Sequence, residues 1–309
     1  MRFAALPIVV VVACLAVAAP AAAHSRAPTV ALDYRVTISR VTLPGVHADV
    51  VDGDRALHVR VDAPHRLLVR GLLGEPLLRF GASGVWVNRA SPTATADRLA
   101  TQGSGWLRVT RGTSFLWHDH RLAPPPGLRA GASAKWSLPV EFDGRATALR
   151  GTFTRVGPPP LWPWIAAMLV AFGAVAALAR ALPARRPETA AAIAAIAAAG
   201  ALTASAAFAT GDTIARRTQW VEAASAAVLA LFAAVALLRH DRSLRTWAAM
   251  VVGVVAVSLG LGSLSVFRHG VVISSLPASF TRLATLVALV GGASAVVVAV
   301  LAPSTGRRR

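Results

Sequence analysis

The chain has 309 residues, 55% of them hydrophobic and only 15% charged, with a net charge of +18 and a mean hydropathy of +0.57. A soluble domain carries about 25% charged residues, and a disordered chain needs low hydrophobicity, so both classes are excluded. The charge suggests a nucleic-acid binder, but the hydropathy argues against nucleic acid and leaves a membrane protein whose first partner is the lipid bilayer.

The N-terminus reads as a targeting signal. Arg2 gives a short positive region, residues 6–19 form an apolar run, and Ala21-Ala22-Ala23 offers an A-x-A cleavage site before His24. A run of about 7–15 apolar residues with such a site predicts a secretory signal over 1–23, too short to span a bilayer well. An uncleaved anchor is one alternative. A lipobox ending at Cys14 is another, weakened because the apolar run continues past it. Cys14 is the sole cysteine, so the mature chain holds no disulfide, thiolate nucleophile or Cys-ligated metal.

Residues 24–157 are polar and alternating, with 18 basic residues against 10 acidic ones. Tyr34, Val36 and Ile38 alternate with Arg35, Thr37 and Ser39. Leu57, Val59 and Val61 alternate with His58, Arg60 and Asp62. Trp136, Leu138, Val140 and Phe142 alternate with Lys135, Ser137, Pro139 and Glu141. Period-two runs are half-buried strands. Asp52-Gly53-Asp54, residues 81–84 and Asp143-Gly144 supply turns, the last a hairpin signal. About eight to ten short strands are expected, forming an exported, Ig-like antiparallel β-sandwich.

The chemistry in this half rests on histidines. In Phe115-Leu116-Trp117-His118-Asp119-His120-Arg121, an extended backbone puts His118 and His120 on one face, about 7 Å apart. That pair suits Cu or Zn. The other reading is a polar strand end with His packed on Arg or Trp. Asp119 would point the other way and could hydrogen-bond an arginine. Cleavage after Ala23 would expose His24, whose α-amine and imidazole together chelate Cu(II); its position after the site could equally be accidental. His47, His58 and His65 read as solvated. The mature methionines are Met168 and Met250, both in helices, so a Met-rich Cu(I) site is excluded from this half. There is no G-x-S-x-G, H-E-x-x-H, P-loop or Rossmann fingerprint. Ser114 with His118 and Asp119 is no triad, because neighbours on one strand do not converge. No catalysis is expected.

Gly157-Pro158-Pro159-Pro160 marks the boundary to a second half rich in Ala, Val and Leu. Five spans are drawn over 161–182, 188–209, 220–238, 247–267 and 280–302. The second is Ala-rich and suits a helix buried in the bundle. With the first half exported, nine arginines fall on the cytoplasmic side, ending in the basic tail 304–309. Four (Arg216, Arg217, Arg268 and Arg282) fall outside. This agrees with the positive-inside rule. Trp162, Trp164, Trp220 and Trp247 sit near helix ends, as an aromatic belt requires. Asp212 and Glu222 read as an interfacial ion-pair cluster with Arg216 or Arg217, or else as a coupling site. Gly253, Gly260, Gly262, Gly291 and Gly292 suit close helix packing. No inverted repeat is evident, which disfavours a secondary transporter. His240 and His269 fall at opposite membrane faces, which does not suit a membrane haem, and His269 could add a ligand outside.

Several motifs occur together. They are Gly74-Glu75-Pro76-Leu77-Leu78-Arg79-Phe80, Gly84-Val85-Trp86-Val87-Asn88, Ser91-Pro92-Thr93, Trp117-His118-Asp119-His120-Arg121, Trp136-Ser137-Leu138-Pro139-Val140 and Asp143-Gly144-Arg145. The set resembles an uncharacterised family of membrane proteins of high-GC bacteria. That resemblance implies a signal peptide, an exported β domain and C-terminal helices. Family members often carry a further His and Trp after Trp-His-Asp-His-Arg, where Leu122-Ala123-Pro124 stands here. A looser similarity, through His24 and the fold class, is to CopC-type periplasmic copper-binding β-sandwiches.

Two functions follow as expectations. One is a membrane-anchored extracytoplasmic binding or accessory protein, holding Cu(II) through His24, His118, His120 and His269 in its metal-binding version, with a protein partner in the extracytoplasmic space. The other is a transport or assembly component whose helical bundle acts while the β domain is a receptor.

Overall fold

A computed structural model of the chain describes residues 31–51, 56–181, 187–209, 216–239 and 241–301. The signal over 1–23, His24, the Asp52-Gly53-Asp54 turn, Arg185, Arg186, Asp212, His240 and the tail lie outside these residues. So do the side chains of Arg216, Arg217 and Glu222. Two compact units emerge: Leu32–Gly157, and the helices from Pro158 onward together with Ala31.

The strands are β1 (Ala31–Leu32), β2 (Tyr34–Ile38), β3 (Val46–Val51), β4 (Ala56–Val61), β5 (Leu67–Arg70), β6 (Pro76–Gly81), β7 (Gly84–Asn88), β8 (Trp106–Thr110), β9 (Ser114–His118), β10 (Ser133–Phe142), β11 (Arg145–Arg155) and β12 (Val271–Val272). A short helix, α1 (Pro92–Ala96), lies between β7 and β8. In the first unit every pairing is antiparallel. One sheet has seven strands in the order β2-β11-β10-β5-β6-β7-β8, and the other has three, β3-β4-β9.

Alternation decides which side chains leave water. On β10, Trp136, Leu138 and Val140 are buried while Lys135, Ser137 and Pro139 are exposed. The inward residues of both sheets join one apolar core, in which Phe80 of the larger sheet meets Trp117 of the smaller at 6.2 Å. Hairpin β10–β11 turns on Asp143 and Gly144, both at positive φ (47° and 82°), with Phe142 opposite Arg145. Two left-handed residues match the twist of the flanking strands. Asp143 also accepts from the Arg66 backbone N–H (2.8 Å) and bonds His65 Nδ1 (2.8 Å). The His65 bond, then that from Arg66, holds its carboxyl below the ordinary range. His65 is therefore a half-buried partner of the turn rather than a solvated side chain, and it packs on Phe142.

The second unit contains α2 (Trp162–Ala181), α3 (Pro187–Ala209), α4 (Arg216–Leu238), α5 (Arg242–Gly262) and α6 (Ala278–Leu301). Three stretches, Thr189–Ala209, Ser243–Gly262 and Ala278–Val300, are long and apolar enough to cross a membrane. The apolar parts of the other two helices, Trp162–Leu178 and Ala223–Val235, are shorter. The expected span 247–267 is displaced. Asp241 caps the helix by accepting from the N–H groups of Ser243 and Leu244, so α5 begins at Arg242 and ends at Gly262. Hydropathy is blind to such a cap, whose carboxylate satisfies orphan N–H groups. Residues 264–267 form a separate 3-10 turn. Arg282, expected in an outer loop, lies within α6. Its guanidinium is buried and donates to the carbonyls of Val266, His269 and Gly270.

In the helical unit many buried positions are alanine, and many large apolar side chains are exposed. The buried positions of α3 are all alanine, including Ala191, Ala194, Ala195, Ala198 and Ala199, and α3 packs on α4, α5 and α6. Outward stand Trp162, Leu169, Val170, Trp220, Val228, Leu231 and Val300, each more than half exposed. That inversion suits a lipid surround, where small residues let helices approach and large ones meet acyl chains.

Candidate functional site

Four of the six motifs of the β unit meet at or beside the two ends of α1. Ser91 caps α1 through its hydroxyl, which accepts from Ala94 N–H, and Pro92 takes the first helical position, where a missing N–H costs nothing. Glu75 holds this end. Its carboxylate accepts from Ser91 Oγ (2.7 Å), Thr93 N–H (3.3 Å) and Leu73 N–H (3.0 Å). Asn88 donates to the Pro76 carbonyl (2.8 Å) and joins the two motifs beside it. Burial works to raise the Glu75 pKa, but the Ser91 and Thr93 bonds outweigh it and bring the carboxyl down to about 2. A carboxylate with a lowered folded pKa stabilises the fold above its ordinary value and loses that contribution as pH falls toward the folded value. The wild-type chain should therefore lose stability faster than E75Q as pH drops from about 4.5 to about 2, read from paired melting curves across that window. Equal slopes would remove Glu75 from this role.

Trp117-His118-Asp119-His120-Arg121 sits at the end of β9. Asp119 is buried and accepts from Arg121 Nε (2.7 Å), Arg121 Nη2 (2.7 Å) and Trp117 Nε1 (3.1 Å). Arg121 also donates to the Arg70 carbonyl (2.7 Å). Burial would raise the Asp119 pKa, but the Arg121 bonds and charge lower it. The expected hydrogen bond between Asp119 and an arginine is thus present, with Arg121 as donor.

Of the four candidate ligands, His118 and His120 are the two described in the β unit. His118 ends β9 and is exposed. His120 begins a 3-10 turn, is exposed, and is hydrogen-bonded through its Nδ1 to Asp97, the residue that ends α1. Burial pushes the Asp97 carboxyl up against that bond. His269 belongs to the other unit, and His24 lies outside the described residues. Among the described residues, no three His, Cys, Asp or Glu side chains stand together as a metal site.

The solvent face of the seven-stranded sheet is the feature that spacing alone does not reveal. Register places Arg79 opposite Trp86 and Trp86 opposite Arg108 on β6, β7 and β8. The Arg79 guanidinium stands 5.3 Å from the Trp86 ring and 4.8 Å from the Trp106 ring, and that of Arg108 stands 5.5 Å from Trp86. Stacking of this kind is worth about 0.5–1 kcal/mol at an exposed site. The same face carries Arg35, Lys135 and Arg150, all exposed. Its carboxylate, Glu141, is already paired with Arg70 at 2.8 Å. The alternation in β6–β8 was legible in the sequence, but the pairing that stacks these four side chains was not.

The chain matches no known protein-family model, no curated protein and no solved structure.

Proposed function

We propose that this chain is a membrane-anchored extracytoplasmic accessory protein without catalysis, whose β domain is its binding module. One observation carries the reading: polar groups in the β domain divide into two sets. Glu75, Ser91, Asp97, Asp119, His120 and Arg121 are bonded to one another or to nearby backbone. The guanidinium donors of Arg79 and Arg108, stacked on tryptophan, form no hydrogen bond or ion pair within the described residues. Reactive-looking motifs thus serve the scaffold, and the outer sheet face is left for recognition.

Supporting the anchor are the three long apolar helices and the large apolar side chains turned outward. The finer reading takes α2–α6 as five spans, with the β domain outside and the C-terminus inside, following the arginine bias. It takes the two sheets as a sandwich, because their inward faces join one core. Copper through His24, His118, His120 and His269 draws support only from the exposure of His118 and His120, and Asp97 already takes Nδ1 of His120. In the helical unit the buried polar residues described are Thr281, Arg282, Thr285 and Ser294, all on α6, and Arg282 is spent on carbonyls. That favours a binding module over a transport path.

Cysteine labelling of the full chain in intact cells tests the topology, in a background where Cys14 is replaced by serine. R150C, on the exposed sheet face, should react with a membrane-impermeant maleimide. R239C, after α4, should react only after permeabilisation. The reverse pattern would place the β domain inside and end this reading.

A further inference from the structure

We propose that the Arg79–Trp86–Arg108 ladder, flanked by Trp106, is a docking surface for the anionic phosphate headgroups of the membrane that anchors the chain. The proposal rests on the accessory-protein reading above and names the partner of its exposed sheet face. Three observations carry it.

The first is charge. The face presents exposed Arg79 and Arg108, with Arg35, Lys135 and Arg150 farther across the same sheet, and none of the five is paired with a carboxylate among the described residues. Glu141, on the same side, is neutralised by Arg70 at 2.8 Å. A phosphate-rich surface complements such a face. A neutral or cationic partner does not.

The second is preorganisation. Each guanidinium centre lies 4.8–5.5 Å from an indole ring centroid. Contact with the rings leaves the guanidinium N–H groups without a hydrogen-bond partner among the described residues. A planar fork held beside an aromatic ring can match phosphate oxygens two at a time and loses less rotamer entropy on binding than a free arginine. Trp86 and Trp106 are half-buried beside the charges. Tryptophan beside arginine is the composition that settles at headgroup level, with the ring among the glycerol groups and the charge on phosphate.

The third is reach. β11 ends at Arg155 and α2 begins at Trp162, so residues 156–161 are the whole linker. Six residues span at most about 20 Å. A bilayer that holds α2 is therefore always within a short tether of the β domain, and a weak contact gains from the high effective concentration.

The test uses the full chain in lipid nanodiscs, with S83C as the single labelled cysteine, in the turn between β6 and β7. Discs are made from phosphatidylcholine alone or with added phosphatidylglycerol, and a headgroup-linked quencher reports approach of the label. Quenching should rise in the phosphatidylglycerol discs, fall as salt is raised, and be lost in R79E/R108E. R79K/R108K, which keeps the charge but not the planar fork, should retain only part of the rise. Melting curves of each variant show whether the β domain remains folded. A variant that melts early is replaced by the single variant R108E, on the edge strand. Equal quenching in the two lipids overturns the proposal, as does quenching that survives R79E/R108E. If inorganic polyphosphate protects the label while phosphatidylglycerol does nothing, the partner is a soluble polyanion and the lipid proposal falls. Sidedness is read by the R150C labelling and docking by quenching, so either conclusion can fail alone.

Discussion

R121A is expected to destabilise the β domain by about 3–5 kcal/mol, the cost of leaving a buried charge without its partner. Asp119 has a side chain only 2% exposed and takes two hydrogen bonds from the Arg121 guanidinium and one from its backbone N–H. Removing that guanidinium strands the carboxylate in the core. It also leaves the Arg70 carbonyl without its donor. The Trp117 indole N–H alone cannot compensate a full negative charge. Thermal unfolding of the full chain in detergent, followed at tryptophan, would show an early loss of the β signal with the helical signal retained. The double variant D119L/R121M removes both charges and should recover part of the loss, because apolar replacement of a whole buried pair is often neutral or better. An R121A chain that melts like wild type would show that Asp119 is solvated and the network ornamental.

The second large effect belongs to the helices. A methyl group placed on Gly253 would stand 2.7 Å from the Gly292 carbonyl oxygen, and one on Gly292 would stand 2.7 Å from that of Gly253. Both obstacles are backbone, so no side-chain rotation relieves them, and α5 must move away from α6. G253A should cost about 1–3 kcal/mol and G253V more, since overpacking forces backbone shifts. G200A is the control. Gly200 lies in α3 with nothing within 4 Å of an added carbon, so alanine there should be neutral or stabilising by up to about 1 kcal/mol through helix propensity. Unfolding of the detergent-solubilised chain in increasing dodecyl sulfate separates the two cases. Equal behaviour of G253A and G200A would refute the close approach.

The glycines show how far composition reaches. All five named from sequence suit close packing as residue types. In the fold, Gly253, Gly260, Gly291 and Gly292 face a neighbouring helix, while Gly262 meets nothing within 4 Å. The difference is rotational phase: at about 100° per residue, Gly262 lies on nearly the opposite face of α5 from Gly260. Which face meets α6 is decided by packing between the helices, which composition does not encode.

The two strand-end histidines show the same limit. His118 and His120 are exposed and Asp119 between them is buried, although the strand ends at His118 and His120 already belongs to a 3-10 turn. Period-two geometry does not reveal that Asp97, 23 residues earlier, meets His120, because that contact depends on where α1 ends. Nor does it reveal that Ser91 and Thr93 answer Glu75. A capping serine followed by proline signals the helix, but not the carboxylate that clamps it.

What the sequence determined by itself is what local chemistry and one-dimensional pattern can encode. Alternation set strands and their buried faces, Asp143-Gly144 set a hairpin, the proline run separated two compositions, and apolar length set spanning-grade helices. Each depends on neighbours a few residues apart, where steric and solvation preferences act without knowledge of the rest. The tertiary structure alone decided the strand order that stacks Arg79, Trp86, Trp106 and Arg108, the burial of Asp119 against Arg121, and the helix phases that bring Gly253 to Gly292. These depend on register and rotation between distant segments. Many registers satisfy the same binary pattern, and only the packing of the whole core selects one.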